Sequence, residues 1–140
     1  MPQSGTFSGK RPLTIESGAR TVTDASFAAD VERSPLPVLL DAWAPWCWPC
    51  QIIGPVVEEI AIEMAGRLRV GRVNVDENPS TTARFEINSI PTLLLVERGR
   101  EIDRISGVQT KAEIARRIAR ILRTGHARRR DSPSRPVSSL

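Results

Sequence analysis

Two stretches of the chain are almost unbroken apolar runs of strand length, Val38-Leu39-Leu40-Asp41-Ala42-Trp43 and Thr92-Leu93-Leu94-Leu95-Val96. Such runs suit strands covered on both faces. Leu68–Val75 reads as a further strand and Arg20–Thr23 as a short edge strand. Elsewhere apolar residues recur every three or four positions. Phe27, Ala28 and Val31 follow a helix start at Thr23-Asp24. Pro35 and Pro37 close that segment, because a proline disfavours helix at the residue before it. Ile52, Ile53, Val56, Val57, Ile60 and Met64 predict a helix over Trp48–Ala65, with Pro55 as a kink site and Gly66 as its stop. Asn78-Pro79 predicts a short helix reaching Phe85 or Glu86, with Asn78 as its cap. Arg98-Gly99 predicts a tight turn that returns Glu101–Ser106 antiparallel to Thr92–Val96. Thr110-x-x-Glu113 has the form of a capping box. Ile114, Ile118, Ile121 and Leu122 form the buried stripe of the helix it opens, with Gly125 as its end.

The order β-α-β-α-β-α-β-β-α predicts an α/β fold, a mixed sheet with helices on both faces. A chain of 140 residues holds one such domain. The Ser-, Gly- and Pro-rich residues 1–19 read as a flexible arm, residues 20–124 as the domain, and residues 125–140 as a disordered basic tail. A composition of 40% hydrophobic and 26% charged residues excludes collagen, a coiled coil and wholesale disorder. The formal charge of +4 gathers at the ends: about +2 over residues 1–20 and +3 over 125–140, leaving about −1 between. A nucleic-acid reader is expected to show a basic face within its fold. Nucleic acid is therefore not an expected partner, and Arg128-Arg129-Arg130 reads as a solvated run that aids solubility. No apolar run is long enough to span a membrane, and the first 30 residues lack a secretory apolar core. The expected location is cytoplasmic, and no membrane partner is expected.

The chemistry concentrates in one octet. All three Trp and both Cys lie between Trp43 and Cys50, in a chain with no Tyr and three Phe. Trp46-Cys47-Trp48-Pro49-Cys50 follows a buried strand and opens a helix. There the unpaired amides and the positive end of the dipole favour a thiolate at Cys47. Cys50, three residues on, lies on the same helical face and can close a ring with it. Two other readings compete. Structural zinc wants four ligands, and His126 is the one other soft candidate. Two buried cysteines can also act as plain small hydrophobes. A C-x-x-C pair beside βαβ patterning favours the redox reading, and in a reducing cytosol it reads as catalytic or metal-binding. Asp41 is the lone acid of an apolar run, where a carboxyl is costly without a use.

Asp41-Ala42-Trp43-Ala44-Pro45-Trp46-Cys47, Pro49-Cys50, Pro55, Asn74-Val75-Asp76-Glu77-Asn78-Pro79, Ile90-Pro91-Thr92 and Gly107 together resemble the thioredoxin family, from about Arg20 to Arg123. The resemblance implies a central five-stranded mixed sheet flanked by four helices, and a protein-disulfide reductase that works by dithiol–disulfide exchange. It implies no bound cofactor: electrons reside in Cys47 and Cys50 and come ultimately from NADPH through a flavoprotein reductase. By position, Cys47 matches the attacking nucleophile and Cys50 the resolving cysteine. Asp41 matches the buried acid that takes the Cys50 proton. Pro91 matches a cis-proline facing the sulfurs. Trp46, Trp48, Val75, Ile90, Ser106, Gly107 and Val108 edge the substrate groove, while Trp43 is scaffold. Asp41 has a second reading, as the partner of the Arg72 cation, which stands where the family often has Lys.

Trp48 departs from the family, which usually has Gly there. An indole beside the nucleophile shields or crowds the sulfurs and adds no positive charge, so the expectation is a reducing potential with altered partner choice. Gln51 stands in place of a family Lys or Arg and weakens reductase docking; Ala42 stands in place of Phe. Expected partners are disulfide-containing proteins and a thioredoxin reductase-like flavoprotein, with the chain itself a monomer. The alternatives are a specialised thiol oxidase or isomerase, or a non-enzymatic binding module that uses the groove.

Overall fold

In the computed structural model residues 18–131 are described. They fall into a larger unit ending at Val108 and a smaller one beginning at Gln109. The larger unit is built on five strands, β1 (Arg20–Thr21), β2 (Val38–Trp43), β3 (Arg69–Asn74), β4 (Thr92–Glu97) and β5 (Arg100–Ser106), in the spatial order β1-β3-β2-β4-β5. The pairs β1–β3 and β2–β3 are parallel; β2–β4 and β4–β5 are antiparallel. The mixed sheet read from the sequence is thus the sheet observed, and the chain has an α/β fold.

Burial follows the apolar runs. Every residue of β2 except Trp43, and every residue of β4, is buried, so neither face of these central strands meets solvent. On one face Val22, Phe27, Val31, Val38, Leu40, Phe85, Leu94 and Val96 form a common cluster. The rings of Phe27 and Phe85 lie 5.8 Å apart, and the Arg84 guanidinium sits 4.5 Å over Phe27. Gly71 faces Val22 so closely that an added Cβ would lie 2.5 Å from its methyl carbon, so only glycine lets β1 approach β3.

The helices of this unit are α1 (Trp48–Glu63) and α2 (Pro79–Arg84). Pro55 lies within α1. The helix expected after Thr23-Asp24 takes another form, a five-residue π-helical segment over Ala28–Glu32, so the described residues of this unit hold two α-helices and this segment. Its signature is the Arg33 N–H donating to the Ala28 carbonyl five residues back, at 2.9 Å. So short a stretch before Pro35 has little helical stability of its own, and burial of Phe27 and Val31 sets its winding. Asn78 does not cap α2 as expected. Its side chain donates to the Asn74 carbonyl and accepts from the Asp24 amide. Asp24 caps α2 from elsewhere in the chain: its carboxylate accepts from the amides of Ser80 and Thr81 at 3.0 and 2.8 Å and from the Thr81 hydroxyl. Arg98 and Gly99 both adopt positive φ (54° and 84°), the backbone of a two-residue hairpin turn, as Arg98-Gly99 predicts.

The described residues of the smaller unit form one helix, α3 (Lys111–Asp131). The Thr110 hydroxyl accepts from the Glu113 amide at 3.1 Å, the bond expected of the capping pattern, and Ile114 and Ile118 are buried. The helix passes through Gly125 instead of ending there. Glycine inside a helix costs only about 1 kcal/mol against alanine, and the arginines and Ala127 around it are good helix formers. The expected arm is described only at residues 18 and 19, and residues 132–140 of the expected tail lie outside the described residues.

Candidate redox site

β2 delivers the site. At its end the Cys47 amide donates to the Ala44 carbonyl at 3.1 Å, turning the chain, and Cys47 occupies the cap position before α1 with extended backbone. Its sulfur accepts from the Cys50 amide at 3.2 Å. That is the cap hydrogen bond which Ser or Asp oxygens usually take, and it points the sulfur at the open amides of the helix start. Pro49 in the first turn gives up no bond, because the amide it lacks would have been unpaired.

Cys47 and Cys50 are joined in a disulfide with their Cα atoms 5.2 Å apart. Cys50 is fully buried and Cys47 is 4% exposed, so Cys47 is the less enclosed of the two. Among the described residues no group of three or more His, Cys, Asp or Glu side chains is placed to hold a metal ion. The two cysteines cluster with Ala44, and Trp43, Val75 and Ile90 pack against them. The two expected groove residues Val75 and Ile90 therefore do meet the sulfur cluster. The Ile90–Pro91 peptide bond is cis. The Pro91 carbonyl accepts from the Gly107 amide at 2.9 Å, which ties this loop to the Ser106-Gly107-Val108 turn.

Asp41 lies one residue along β2 from Ala42 and is directly registered with Arg72 on β3. Cross-strand registry explains their pairing: Arg72 Nε donates to Asp41 Oδ2 at 2.8 Å. The guanidinium also lies 4.8 Å over the Trp43 ring and against Gly54 of α1. Asp41 is fully buried, and Oδ1 has no hydrogen-bond partner among the described residues. Burial pushes its carboxyl above the ordinary value, and the Arg72 cation only partly offsets this. The two sequence readings of Asp41 are compatible, since one oxygen is paired with Arg72 and the other is left for another proton donor.

The two remaining tryptophans stand out in solvent, Trp46 at 68% and Trp48 at 72% exposure. They are not alike. Trp46 is pinned, its indole N–H donating to Asp76 Oδ2 at 2.8 Å, and Asp76 is itself placed by its amide donating to Asn74 Oδ1. Asp76 is the site residue that pattern reading misses. It lies inside the Asn74–Pro79 motif, but nothing in spacing alone joins it to an indole 30 positions earlier. Gln51 turns its side-chain amide back to the Pro45 carbonyl at 3.4 Å.

The thioredoxin family model matches residues 18–120. Thioredoxin from Synechocystis sp. is 45% identical over 101 residues, covering 72% of this chain and 94% of that protein. Thioredoxin from Mycobacterium tuberculosis is 48% identical over 101 residues, covering 72% of this chain and 87% of the other. The chain belongs to the thioredoxin family. It is a thiol–disulfide oxidoreductase, a disulfide reductase of thioredoxin type whose redox pair is Cys47 and Cys50. A bifunctional thioredoxin reductase/thioredoxin from Mycobacterium leprae is 46% identical over 110 residues, 79% of this chain and 23% of that protein. That relative is named for both a thioredoxin reductase and a thioredoxin. Among the described residues no helix is long and apolar enough to cross a membrane.

Proposed function

We propose that this thioredoxin-family chain reduces disulfides of protein substrates in the cytoplasm, as a monomer, with electrons from NADPH passed on by a flavoprotein reductase. The observation that carries the division of labour is the Cys47 sulfur at the α1 amino end, held by the Cys50 amide, above a fully buried Cys50. In the reduced protein the helix end lowers the Cys47 pKa, so a thiolate is present at neutral pH. That thiolate attacks one substrate sulfur; the substrate S–S bond breaks, a Cys47–substrate mixed disulfide forms, and the other substrate sulfur leaves as thiolate and takes a proton. The open Oδ1 of Asp41 accepts the Cys50 proton, through a water, and Cys50 sulfur then attacks Cys47 sulfur; the Cys47–substrate bond breaks, and the remaining substrate sulfur leaves as a thiolate that takes a proton from solvent. The substrate departs with two thiols, and the disulfide Cys47–Cys50 is restored.

The groove is edged by Trp46, Trp48, Val75, Ile90 and the Ser106-Gly107-Val108 turn. An extended substrate segment lies beside cis-Pro91, whose missing amide hydrogen leaves no donor to compete for the sulfurs. Trp48, exposed and next to the nucleophile, selects among partners and keeps the potential on the reducing side. Insulin reduction tests this. Wild type should turn over with dithiothreitol and with NADPH plus thioredoxin reductase. Cys47→Ser should abolish both, and Cys50→Ser should accumulate a mixed disulfide with substrate; full activity of Cys47→Ser would sink the assignment. Trp48→Gly should raise the reductase-driven rate and leave the dithiothreitol-driven rate within about two-fold. Equal ratios in both proteins would remove Trp48 from partner choice.

A further inference from the structure

The course of α3 regroups the basic residues. Lys111, Arg116, Arg117, Arg120, Arg123 and Arg128-Arg129-Arg130 all lie on one uninterrupted backbone helix. From Gln109 onward the chain holds nine cations, eight of them Arg, against two acids. Up to Val108 it holds eleven cations against fourteen acids. The smaller unit is therefore +7 and the larger −3, a separation that the total of +4 conceals. A basic tail after a neutral domain would be a solvated run; a helix that carries Arg116, Arg120 and Arg123 exposed is a basic surface.

That surface has a face. Arg116, Arg120 and Arg123 are four and three residues apart, so they share one side of the helix, and all three are exposed. Ile114 and Ile118 are buried. Glu113 bridges Arg116 at 2.7 Å, and between Glu113 and Asp131 the helix has no other acid. From Arg116 to Arg130 the helix rises about 21 Å, at about 1.5 Å per residue. The family match ends at residue 120, so Arg123 and Arg128-Arg129-Arg130 stand beyond it, outside the redox machinery.

We propose that α3 binds the phosphodiester backbone of nucleic acid, without reading base sequence. The preference for Arg over Lys favours phosphate, because the planar guanidinium meets two phosphate oxygens at once. An anionic membrane fits less well. A helix lying in a lipid surface needs bulky apolar residues along its length, and after Leu122 this helix has no apolar side chain larger than Ala127.

Fluorescence anisotropy of labelled 20-bp DNA and RNA duplexes with the full chain tests this. At about 100° per residue Arg130 falls on the same face as Arg116, Arg120 and Arg123; with these four engaged, the slope of log affinity on log salt should be about −4, and affinity should fall by about 10² between 50 and 200 mM salt. Replacing Arg116, Arg120 and Arg123 by Gln should flatten the slope by about three quarters, and replacing Arg130 alone by Gln should flatten it by about one quarter. Lys at the same positions should restore it. Circular dichroism checks that the helix survives, and insulin reduction should be unchanged in every variant. Absence of binding at 50 mM salt, an unchanged slope in both Gln variants, or tighter binding to phosphatidylserine vesicles than to either duplex would overturn the proposal.

Discussion

Asp41 is scaffold through its bond to Arg72, and in the proposed mechanism it is also the proton acceptor. Its position in an apolar run marks it in the sequence, and its registry with Arg72 is legible once β2 and β3 are taken as parallel neighbours. What the sequence does not show is that only one of its oxygens is paired. The raised carboxyl pKa has a consequence for stability. The folded chain holds the Asp41 proton more tightly than the unfolded chain does. The stability this gives is complete below the unfolded carboxyl value of about 3.9 and is lost as pH rises through the raised folded value. Asp41→Asn carries no such charge. Its urea midpoint should gain steadily on wild type from about pH 4 towards neutrality, while insulin reduction at pH 7 falls by up to about 10² through loss of the proton acceptor. A midpoint difference that stays flat with pH would place the folded carboxyl at its ordinary value.

At the level of elements, the strands and α1 were legible because their signals are local: unbroken apolar runs, a C-x-x-C pair after a strand, Arg98-Gly99 before another. The miss at the α2 cap arises because a distant residue decides the local outcome, whereas the passage of α3 through Gly125 is decided by its own neighbours. Asn78 carries a cap signature, yet the α2 cap comes from Asp24, more than 50 positions earlier. Asp24→Ala should therefore lower the urea midpoint although it lies outside the helix it caps. The hydrogen bonds from Thr81, the largest influence, and from Ser80 hold its carboxylate below the ordinary value. Its stabilising contribution is present above the unfolded value of about 3.9 and is lost as pH falls through the depressed folded value. The two proteins should converge in stability as the solution is acidified, and a gap that widened would contradict the cap. Gly71 is likewise decided from a distance, by Val22. Gly71→Ala should cost about 1–3 kcal/mol, the range for overpacking a filled site, read as a lower urea midpoint with faster amide exchange at Val22.

For the whole molecule the relevant coupling joins redox state to folding. Closing Cys47 to Cys50 makes a loop of only four residues, for which the loop-entropy model gives about 2 kcal/mol of stabilisation over the reduced chain. Reduction also places a thiolate at the α1 amino end, which that helix end favours, and this contribution offsets part of the loss above the Cys47 pKa. The two effects separate with pH. Below that pKa both thiols are neutral, and the reduced protein should show its full deficit. At neutral pH the thiolate interaction should narrow it. Paired urea titrations of oxidised and reduced chain at about pH 5 and pH 8 measure both quantities, with the oxidised form expected to unfold at higher urea throughout and by the larger margin at the lower pH. A margin independent of pH would mean that the helix end gives the Cys47 thiolate no net stabilisation, and the nucleophile assigned to Cys47 would then lack its source of activation.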